Sequence, residues 1–387
     1  MSARDERLQQ LRSEVPEVTP AEAHELAESG AALIDVREPD EIGQGSPREA
    51  VRLGRGYLEL RIEGEVPDTD RTVLVMCGGG TRSLFAADGL KRLGYRDVRS
   101  VAGGFNRWKN EGLPFEIPRV LDADARARYA RQISLPEVGE AGQAALADAR
   151  VLLIGAGGLG SPAALYLAAA GVGTLGIVDH DTVDRSNLQR QILHADARVG
   201  MSKIESARQA IGALNPAVEV VGHAERLASD NVERIFEGYD VIVDGSDNFA
   251  TRYLVNDACV KLGLPNVHGA VFRFDGQASV FWPGGPDGGP CYRCLYPEPP
   301  PPDQAPSCAE AGVMGVLPGL IGTIQALETL KILLEGGRTL NGRLLCVDGL
   351  GAEFRELRVR RDPACPYCTA ETFPGYIDYQ AFCGAGA

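Results

Sequence analysis

The fold of most of this 387-residue chain is decided by the segment VLLIGAGGLG at residues 151–160. A short apolar run of strand type is followed by a glycine-rich turn, an alanine-rich stretch with helical character and a second apolar run, LGIVD, at residues 175–179. Residues 151–178 contain no charged side chain, so a hydropathy window would mark them as a membrane span. Four glycines within residues 155–160, followed by Pro162, instead favour a strand, a tight turn, a helix and a second strand.

Apolar runs of the same type recur further along the chain, as VEVVG at residues 218–222 and DVIVD at residues 240–244, with helical segments between them. This spacing predicts a doubly wound, mostly parallel α/β sheet with helices on both sides. Residues 284–305 are rich in proline and glycine, and we expect an irregular loop there. Residues 314–334 predict an apolar helix that packs in a core or in a dimer interface.

A second, smaller α/β unit is predicted before this sheet. Residues 31–36, 72–76 and 98–101 are short apolar runs of strand type, and residues 84–93 have helical spacing. The stretch LPFEIPRVLDADARARY, which starts at Leu113, has two prolines and then a charged helical pattern, as expected where one core ends and another begins. The predicted organisation is a small domain at 15–117, a linker at 118–127, a larger domain at 128–372 and a tail at 373–387.

Composition excludes several classes of protein. Apolar residues make up 44% of the chain and charged residues 24%, which argues against disorder. The net charge is −14, from 39 basic and 53 acidic residues, and this disfavours binding to nucleic acid or to an anionic membrane. The first twelve residues are charged and have no apolar core of a signal peptide, so we expect a cytoplasmic protein. In that reducing compartment, nine cysteines indicate metal ligands or reactive thiols before disulfides.

The sequence CGGGTRS at residues 77–83 is the first motif that carries chemistry, and it lies between a predicted strand and a helix that starts near Thr81. Consecutive glycines let backbone N–H groups turn toward the sulfur of Cys77, and the helix N-terminus adds positive charge. Such a loop favours the thiolate, which is a nucleophile and can hold a second sulfur as a persulfide. A buried structural cysteine in a glycine-rich turn is the alternative interpretation.

This loop resembles that of the rhodanese family, which reads C-x-x-G-x-R-S. The sequences DVRE at residues 35–38 and AGGF at 102–105, with Trp108, extend the resemblance over residues 15–115. The resemblance implies sulfur transfer, with Cys77 and Arg82 as the catalytic residues and a persulfide or thiosulfate as the upstream donor. Residues 45–50, GSPREA, depart from the G-H-I-P-G-A that rhodaneses often have at this point.

The second motif is the glycine-rich turn itself, with Gly155, Gly157, Gly158 and Gly160, together with Asp179 about 20 residues later. Glycines allow close backbone approach, the helix N-terminus receives phosphate, and the acid accepts ribose hydroxyls. Taken alone, this pattern fits a dehydrogenase equally well. Arg190 and Lys203 add two cations near one phosphate site, which suits a triphosphate whose charge shifts during displacement. The sequence DGSDN at residues 244–248 supplies a carboxylate for magnesium at the carboxyl end of a strand.

From about Arg128 to Cys368 the chain resembles the MoeB/ThiF group, relatives of ubiquitin-activating enzymes that adenylate the terminal glycine of small sulfur-carrier proteins. RYARQ at residues 128–132 is similar to the group's R-Y-x-R-Q, whose second arginine, here Arg131, reaches into the nucleotide site of the partner subunit. The resemblance therefore implies a homodimer. It further implies that Asp179 binds ribose and that Asp181 and Asp247 serve the magnesium ion. The phosphate and nucleotide contacts that it implies come from Asn187, Arg190, Gln191, Lys203 and Asn248. A surface or capping role is the alternative for each of these polar residues.

Two C-x-x-C pairs form the third motif, Cys291 with Cys294 and Cys365 with Cys368. Four thiolates close a tetrahedral zinc site with no position left for water, so the predicted metal is structural. A pair of redox dithiols is the alternative, but neither pair lies in a thioredoxin-like context.

Cys308, in the sequence SCAEAGV at residues 307–313, is a further candidate thiol. The resemblance places a cysteine in this loop, where it could form a thioester or resolve a disulfide; a buried thiol that packs as a small hydrophobe is the alternative. Cys259 and Cys346 are predicted to lie in a core. Cys383 lies in a tail that resembles one found in rhodanese-fused members of the group, and the sequence assigns it no role.

Together these features predict an enzyme that uses ATP, Mg²⁺ and structural Zn²⁺. The larger domain would adenylate a small ubiquitin-like carrier protein that ends in Gly-Gly, and the persulfide on Cys77 would convert the activated glycine into a thiocarboxylate. The pathway, for example molybdenum cofactor or thiamine synthesis, does not follow from the sequence. The alternatives are a tRNA-modifying enzyme of the same superfamily, an NAD-dependent Rossmann oxidoreductase with an attached rhodanese, and a non-catalytic persulfide relay.

Overall fold

The computed structural model describes residues 2–117, 119–286, 288–300, 312–369 and 371–384. The chain divides into two compact units, Met1–Asp122 and Ala123–Ala387. Each unit is built on its own sheet, and both sheets contain parallel strands covered by helices. The predicted α/β class is therefore confirmed for both units.

The first unit has a sheet of five short parallel strands in the order β1-β5-β4-β2-β3. The strands are β1 (Glu17–Val18), β2 (Ala32–Asp35), β3 (Val51–Arg52), β4 (Val73–Met76) and β5 (Val98–Val101). The helices are α1 (Ala3–Glu14), α2 (Pro20–Glu28), α3 (Pro39–Ile42), α4 (Leu58–Glu65), α5 (Arg82–Arg92) and α6 (Gly104–Asn110).

Helix α1 belongs to this unit, although the sequence prediction began the small domain at residue 15. Leu11 on α1 is fully buried in the core, and Arg7 donates a hydrogen bond to Asp88 of α5 at 2.7 Å. Burying a leucine side chain stabilises by about 1.5–3 kcal/mol. One buried leucine and one ion pair thus attach a helix whose other side chains are mostly exposed.

The second unit contains the glycine-rich turn and a sheet of eight strands. The strands are β6 (Arg150–Ile154), β7 (Thr174–Val178), β8 (Glu219–His223), β9 (Val241–Asp244), β10 (Asn266–Phe272), β11 (Asp275–Phe281), β12 (Arg343–Asp348) and β13 (Glu353–Arg358). The helices are α7 (Ala123–Arg128), α8 (Ala130–Ile133), α9 (Gly139–Asp148), α10 (Gly160–Ala170), α11 (Lys203–Leu214), α12 (Val232–Phe236), α13 (Phe249–Leu262), α14 (Tyr292–Leu295), α15 (Val316–Leu333) and α16 (Tyr379–Phe382).

The larger sheet is parallel in one half and antiparallel in the other. Its order is β13-β12-β11-β10-β9-β6-β7-β8, with parallel pairing from β8 to β10 and antiparallel pairing from β10 to β13. The predicted strand-helix units account for the parallel half. The antiparallel half was not predicted, because β10, β11 and β13 mix apolar residues with polar residues or glycine. Strand β12 has the apolar run LLCV at residues 344–347, but such a run does not indicate strand direction. All six residues of β13 are exposed.

Strand register brings three chain segments to one edge of this sheet. Ile154 at the end of β6 pairs with Val178 of β7 on one side and with Asp244 of β9 on the other. The residues that follow these strands, starting with Gly155, Asp179 and Gly245, therefore leave the sheet side by side. Open parallel sheets bind ligands at this carboxyl edge.

Alternate residues of each central strand face opposite sides of the sheet. Val151 and Leu153 pack in one cluster with residues of α10, α11 and α15, whereas Leu152 and Ile154 pack in another with residues of α12 and α13. The sheet is thus covered by helices on both faces, as a doubly wound sheet requires.

Helix α15 is long and apolar enough to cross a membrane, by length and composition alone. Within the unit, 44% of this stretch is buried, and Ile321 and Gln325 are fully enclosed. A core helix passes the same test, so this feature does not establish a membrane span. The segment 151–178, which a hydropathy window would also mark, forms β6, α10 and β7.

Candidate functional site

The glycine-rich turn after β6 depends on a very close approach of two backbone segments. A Cβ atom at Gly160 would overlap the carbonyl oxygen of Gly155, and Gly155 itself has a φ of 92°, in the left-handed region. Only glycine satisfies both conditions without strain. The turn thereby places the N-terminus of α10 at the carboxyl edge of the sheet, where backbone N–H groups can face an anion.

Asp179 at the end of β7 ties this turn to the next strand. Its carboxylate accepts hydrogen bonds from the backbone N–H of Ala156 and of Asp181, each at 2.9 Å. The side chain of Asp179 is only 7% exposed. The acid that was predicted to bind ribose therefore also fixes the shape of the turn.

Lys203 begins α11 and points to the same place. Its Nζ atom lies 2.7 Å from Asp181 and 3.7 Å from Asp179. The hydrogen bond from Lys203 keeps the pKa of Asp181 below its ordinary value, against the opposing effect of partial burial. Lys203 is thus a nearly buried cation that two carboxylates hold at the edge of the turn.

Arg190 and Gln191 complete the polar side of this site. The guanidinium of Arg190 donates to Oδ1 of Asn187 at 2.6 Å. Gln191 is 5% exposed, and its Oε1 atom has no hydrogen-bond partner among the described residues. A buried acceptor without a partner is costly, and a ligand or water in the site would satisfy it.

A buried pair of residues supports the loop that follows β9. The side chain of Asp244 is fully buried and accepts hydrogen bonds from His268 at 3.0 Å and from the backbone N–H and hydroxyl of Ser246. Burial lowers the pKa of His268, so its ring is neutral and donates through Nδ1. This arrangement fixes the turn that carries Asp247, and it was not predicted, because His268 has no partner nearby in sequence.

These elements surround one cavity of about 660 Å³. The cavity is lined by most of the predicted nucleotide residues: Gly155, Gly157, Gly158, Asp179, Asp181, Arg190, Gln191, Lys203, Asp247 and Asn248. Gly160 and Asn187 are not part of the lining, but each contacts a residue that is. Gly160 packs against the carbonyl oxygen of Gly155, and Asn187 accepts a hydrogen bond from Arg190. Asn248 also caps α13, since its Oδ1 accepts from the N–H of Thr251 at 2.9 Å.

One of the two other predicted catalytic residues of this unit, Arg131, does not join this lining. Arg131 is an exposed residue on α8 and does not line the cavity of its own subunit. Cys308 lies outside the described residues. The lining also includes residues that sequence reasoning did not assign to the site, among them Arg226 and Arg252 and, from the C-terminal tail, Gln380, Cys383 and Gly384.

The four cysteines of the two C-x-x-C pairs come together in space. The sulfur atoms of Cys291, Cys294, Cys365 and Cys368 all lie within 4.8 Å of one another, and Cys291 is 3.8 Å from Cys294 and 3.7 Å from Cys365. A zinc tetrahedron with Zn–S bonds of about 2.3 Å has S···S edges of about 3.8 Å. The donor set and its spacing therefore fit a zinc ion.

Arg293, between the first two cysteines, anchors this cluster to the core. It forms two hydrogen bonds with Asp257 of α13, at 2.8 and 2.7 Å, and both side chains are buried. Its guanidinium also lies 3.9 Å from the ring centre of Tyr367, next to the second pair. The hydroxyl of Tyr379 donates to the same carboxylate at 2.8 Å.

The CGGGTRS loop of the first unit encloses the sulfur of Cys77, which is 1% exposed. The sulfur accepts hydrogen bonds from the backbone N–H of Gly80 at 3.2 Å and of Ser83 at 3.4 Å. The AGGF segment packs directly on this loop: Phe105 N–H donates to the carbonyl oxygen of Cys77 at 2.8 Å, and a Cβ at Gly104 would overlap that oxygen. Donors aimed at one sulfur stabilise negative charge there.

A cavity of about 370 Å³ lies beside this loop, lined by Gly78, Gly79, Arg82 and Glu41 among others. Arg82 forms a two-point ion pair with Glu41, at 2.6 and 2.5 Å. Residues 45–50 are the segment whose sequence differs from the usual rhodanese motif. In this segment, the hydroxyl of Ser46 donates a hydrogen bond to the buried Asp35 at 2.9 Å, and the carbonyl oxygen of Gly45 accepts one from Arg37. Although residues 45–50 differ from the usual rhodanese motif, they still form hydrogen bonds with Asp35 and Arg37 of the DVRE segment.

Comparison with protein-family models gives two matches along the chain. The ThiF family model matches residues 129–367, and the rhodanese-like domain model matches residues 19–111. The chain belongs to the ThiF family. Both predicted resemblances are confirmed.

Relatives of known name share this ThiF-family sequence. A probable adenylyltransferase/sulfurtransferase MoeZ of Mycobacterium tuberculosis is 53% identical over 273 residues, which cover 70% of this chain and 68% of the relative. The sulfur carrier protein adenylyltransferase of Thermus thermophilus is 54% identical over 260 residues, 66% of this chain and 96% of the relative. The mouse adenylyltransferase and sulfurtransferase MOCS3 is 51% identical over 276 residues, 71% and 59% of the two chains. The chain is thus a ThiF-family adenylyltransferase with an attached sulfurtransferase domain.

Solved structures share the fold of the ThiF-family unit. Escherichia coli MccB aligns with a TM-score of 0.55 at 18% identity, over 64% of this chain and 75% of that one. Its complex with ATP aligns with a TM-score of 0.54 at 20% identity, over 62% and 74%. These likenesses support the ThiF-type fold of the sheet and its helices.

Replacing Arg293 with alanine should destabilise the second unit by about 3–5 kcal/mol, because the carboxylate of Asp257 would remain buried without its cation. Urea unfolding of the metal-loaded protein measures this change. Arg355→Ala is the control, since Arg355 and its partner Glu353 are mostly exposed and such pairs contribute about 0–1 kcal/mol. Equal effects of the two substitutions would contradict the assigned role of Arg293.

The melting temperature of the second unit should fall as the pH is lowered from 7.5 through 6.5. Burial lowers the pKa of His194, His223 and His268, so the unfolded chain binds protons in this range that the native protein does not, and stability rises with pH. Thermal unfolding of the wild type and of His223→Gln should show a smaller pH dependence in the variant. An identical dependence would exclude a contribution from His223.

Proposed function

We propose that the ThiF-family unit adenylates the C-terminal glycine of a small ubiquitin-like carrier protein and that the rhodanese-like unit then supplies sulfur to it. The observation that carries the proposal is the 660 Å³ cavity, in which a glycine turn, Asp179, Arg190 and Lys203 converge at the carboxyl edge of the sheet. The Thermus thermophilus relative is named a sulfur carrier protein adenylyltransferase, which supports this substrate class.

In the first step, a carboxylate oxygen of the carrier attacks the α-phosphorus of ATP, and pyrophosphate leaves. Asp179 holds the ribose, while Lys203 and Arg190 neutralise the charge that shifts toward pyrophosphate. Asp247, exposed at the rim of the cavity, would hold Mg²⁺, which would supply positive charge to the phosphates. The product is a mixed anhydride, whose AMP is a far better leaving group than oxide.

In the second step, the outer sulfur of a persulfide on Cys77 attacks the activated carbonyl and AMP leaves. The acyl disulfide that forms is cleaved by a thiol, which becomes disulfide-bonded to Cys77 and releases the carrier thiocarboxylate. Cys308 is our candidate for this thiol, as the sequence resemblance implies. The N–H groups of Gly80 and Ser83 stabilise the sulfur anion of Cys77.

We further propose that the enzyme works as a homodimer in which Arg131 of each subunit serves the nucleotide cavity of its partner. Apolar side chains on α10 and α15 are exposed, including Tyr166 and Leu327 at 56% each. A second copy that covers this face would bury them and also account for the apolar character of α15.

Cys77→Ala should abolish formation of the carrier thiocarboxylate and leave ATP–pyrophosphate exchange intact, because Cys77 lies in the sulfurtransferase unit. Lys203→Ala should do the converse, lowering exchange by about 10²–10³-fold while Cys77 still accepts sulfur from thiosulfate. Mass spectrometry of the carrier and radiolabelled pyrophosphate exchange measure the two activities. Lys203→Ala should also lose the thiocarboxylate, because that product requires the adenylate, so mass spectrometry of Cys77 follows its persulfide in this variant. Loss of pyrophosphate exchange in Cys77→Ala, or loss of the Cys77 persulfide in Lys203→Ala, would contradict the proposed division.

Purified protein should contain one zinc ion per chain, bound by the four clustered cysteines. Cys294→Ser should lose the ion and a large part of the stability of the second unit, since structural zinc sites contribute on the order of 10 kcal/mol of apparent folding free energy. Cys346→Ser on β12 is the matched control and should keep the metal. Elemental analysis and thermal unfolding report the outcome; full zinc content in Cys294→Ser would rule out this site.

A further inference from the structure

The C-terminal tail lines the nucleotide cavity, although nothing in the sequence assigned it a role there. Gln380, Cys383 and Gly384 stand in the cavity wall together with residues that follow β6, β7 and β9. Cys383 is partly exposed, so its side chain is accessible from the cavity.

The tail is held at this place by contacts with the core. The hydroxyl of Tyr379 bonds to the buried carboxylate of Asp257 at 2.8 Å, and the ring of Phe382 packs edge-on against Tyr253, with ring centres 5.2 Å apart. The carboxylate of Asp378 caps α16 by accepting from the N–H groups of Gln380 and Ala381. A short segment with a buried hydroxyl, a packed ring and a cap has a defined position.

The two sides of the cavity differ in chemistry. Lys203, Arg190 and the N-terminus of α10 lie on one side of the sheet edge, where the triphosphate belongs. On the other side the lining includes the apolar side chains of Leu227 and Phe249, next to the charged side chains of Glu225, Arg226 and Arg252. Leu227 and Phe249 pack with the cluster that also holds Phe382 and Cys383. With the ribose at Asp179, between the two sides, a purine base extends toward the apolar side, since it is planar and largely apolar.

Cys383 suits a contact with the base better than a role as a nucleophile. Burial raises the pKa of its thiol, so at neutral pH the sulfur is protonated and uncharged. A small neutral group fits beside an aromatic ring, whereas attack on an acyl-adenylate requires the thiolate.

We propose that three tail residues, Gln380, Cys383 and Gly384, form the wall against the base of bound ATP, with the Cys383 side chain in contact with the nucleobase. This inference rests on the proposed function, since it takes the cavity to be the ATP site. It adds a base-binding element that lies more than 200 residues after the glycine turn and is positioned through Asp257 and Tyr379.

Alkylation of the native protein tests the contact without any substitution. The full-length protein is treated with iodoacetamide with and without ATP–Mg²⁺, and peptide mass spectrometry follows the modification of Cys383, while calorimetry measures ATP binding in the same sample. ATP should slow modification of Cys383 by about tenfold or more, the occupancy effect of a ligand at about ten times its Kd. Cys346, outside the cavity lining, is the internal control and should react at an unchanged rate.

The outcomes separate the two proposals. ATP binding with protection of Cys383 supports the tail wall, and ATP binding without protection overturns it but leaves the proposed function standing. No ATP binding would overturn both.

A pair of matched variants provides the second measurement. Cys383→Phe should raise the KM for ATP in pyrophosphate exchange by about tenfold, equivalent to about 1.4 kcal/mol, because the larger ring occupies space that the base needs, with kcat retained. Ala381→Phe places the same ring at an exposed tail position outside the lining and should leave KM unchanged. An unchanged KM in Cys383→Phe, or an equal rise in both variants, would overturn the contact.

Discussion

The close packing of Gly160 against the carbonyl oxygen of Gly155 is the constraint on which the nucleotide cavity depends. This contact places the start of α10 against the end of β6. Because β6 pairs in register with β7 and β9, Asp179 and the turn after Asp244 lie at the same edge of the sheet. Larger side chains at Gly160 would push the helix away from the sheet. The positions of the polar residues at this edge, such as Asp179, therefore depend on the contact between Gly160 and Gly155, which leaves no room for a Cβ atom at residue 160.

The sequence predicted best those parts of the fold and the site that are determined by residues close together in the chain. A glycine turn between two apolar runs requires a strand, a helix N-terminus and a parallel strand, and the structure contains β6, α10 and β7 in that order. The C-x-x-C spacing likewise places the two sulfur atoms of each pair where they can bind the same ion, although the meeting of the two pairs is a long-range contact. In both cases a few residues, close in sequence, define backbone conformation or ligand distance, so composition and spacing were enough to predict the site.

Features built from residues far apart in sequence were not predictable in this way. Asp257 joins Arg293 and Tyr379 across 36 and 122 positions, and no local pattern marks any of the three. Helix α1 has a single buried leucine, and strands β10, β11 and β13 mix apolar residues with polar residues or glycine, so none of them has a strong periodic signal. The tail reached the cavity wall through these same long-range contacts, which explains why Cys383 had no predicted role.

The fully exposed strand β13 forms one edge of the larger sheet, and its unpaired backbone groups could in principle join another strand. Four of its six side chains, those of Glu353, Arg355, Glu356 and Arg358, are charged. Charged side chains along an edge strand disfavour pairing with an apolar strand of another chain, which would leave these charges without partners. Charge thus protects the last strand of this open sheet, all of whose residues are exposed.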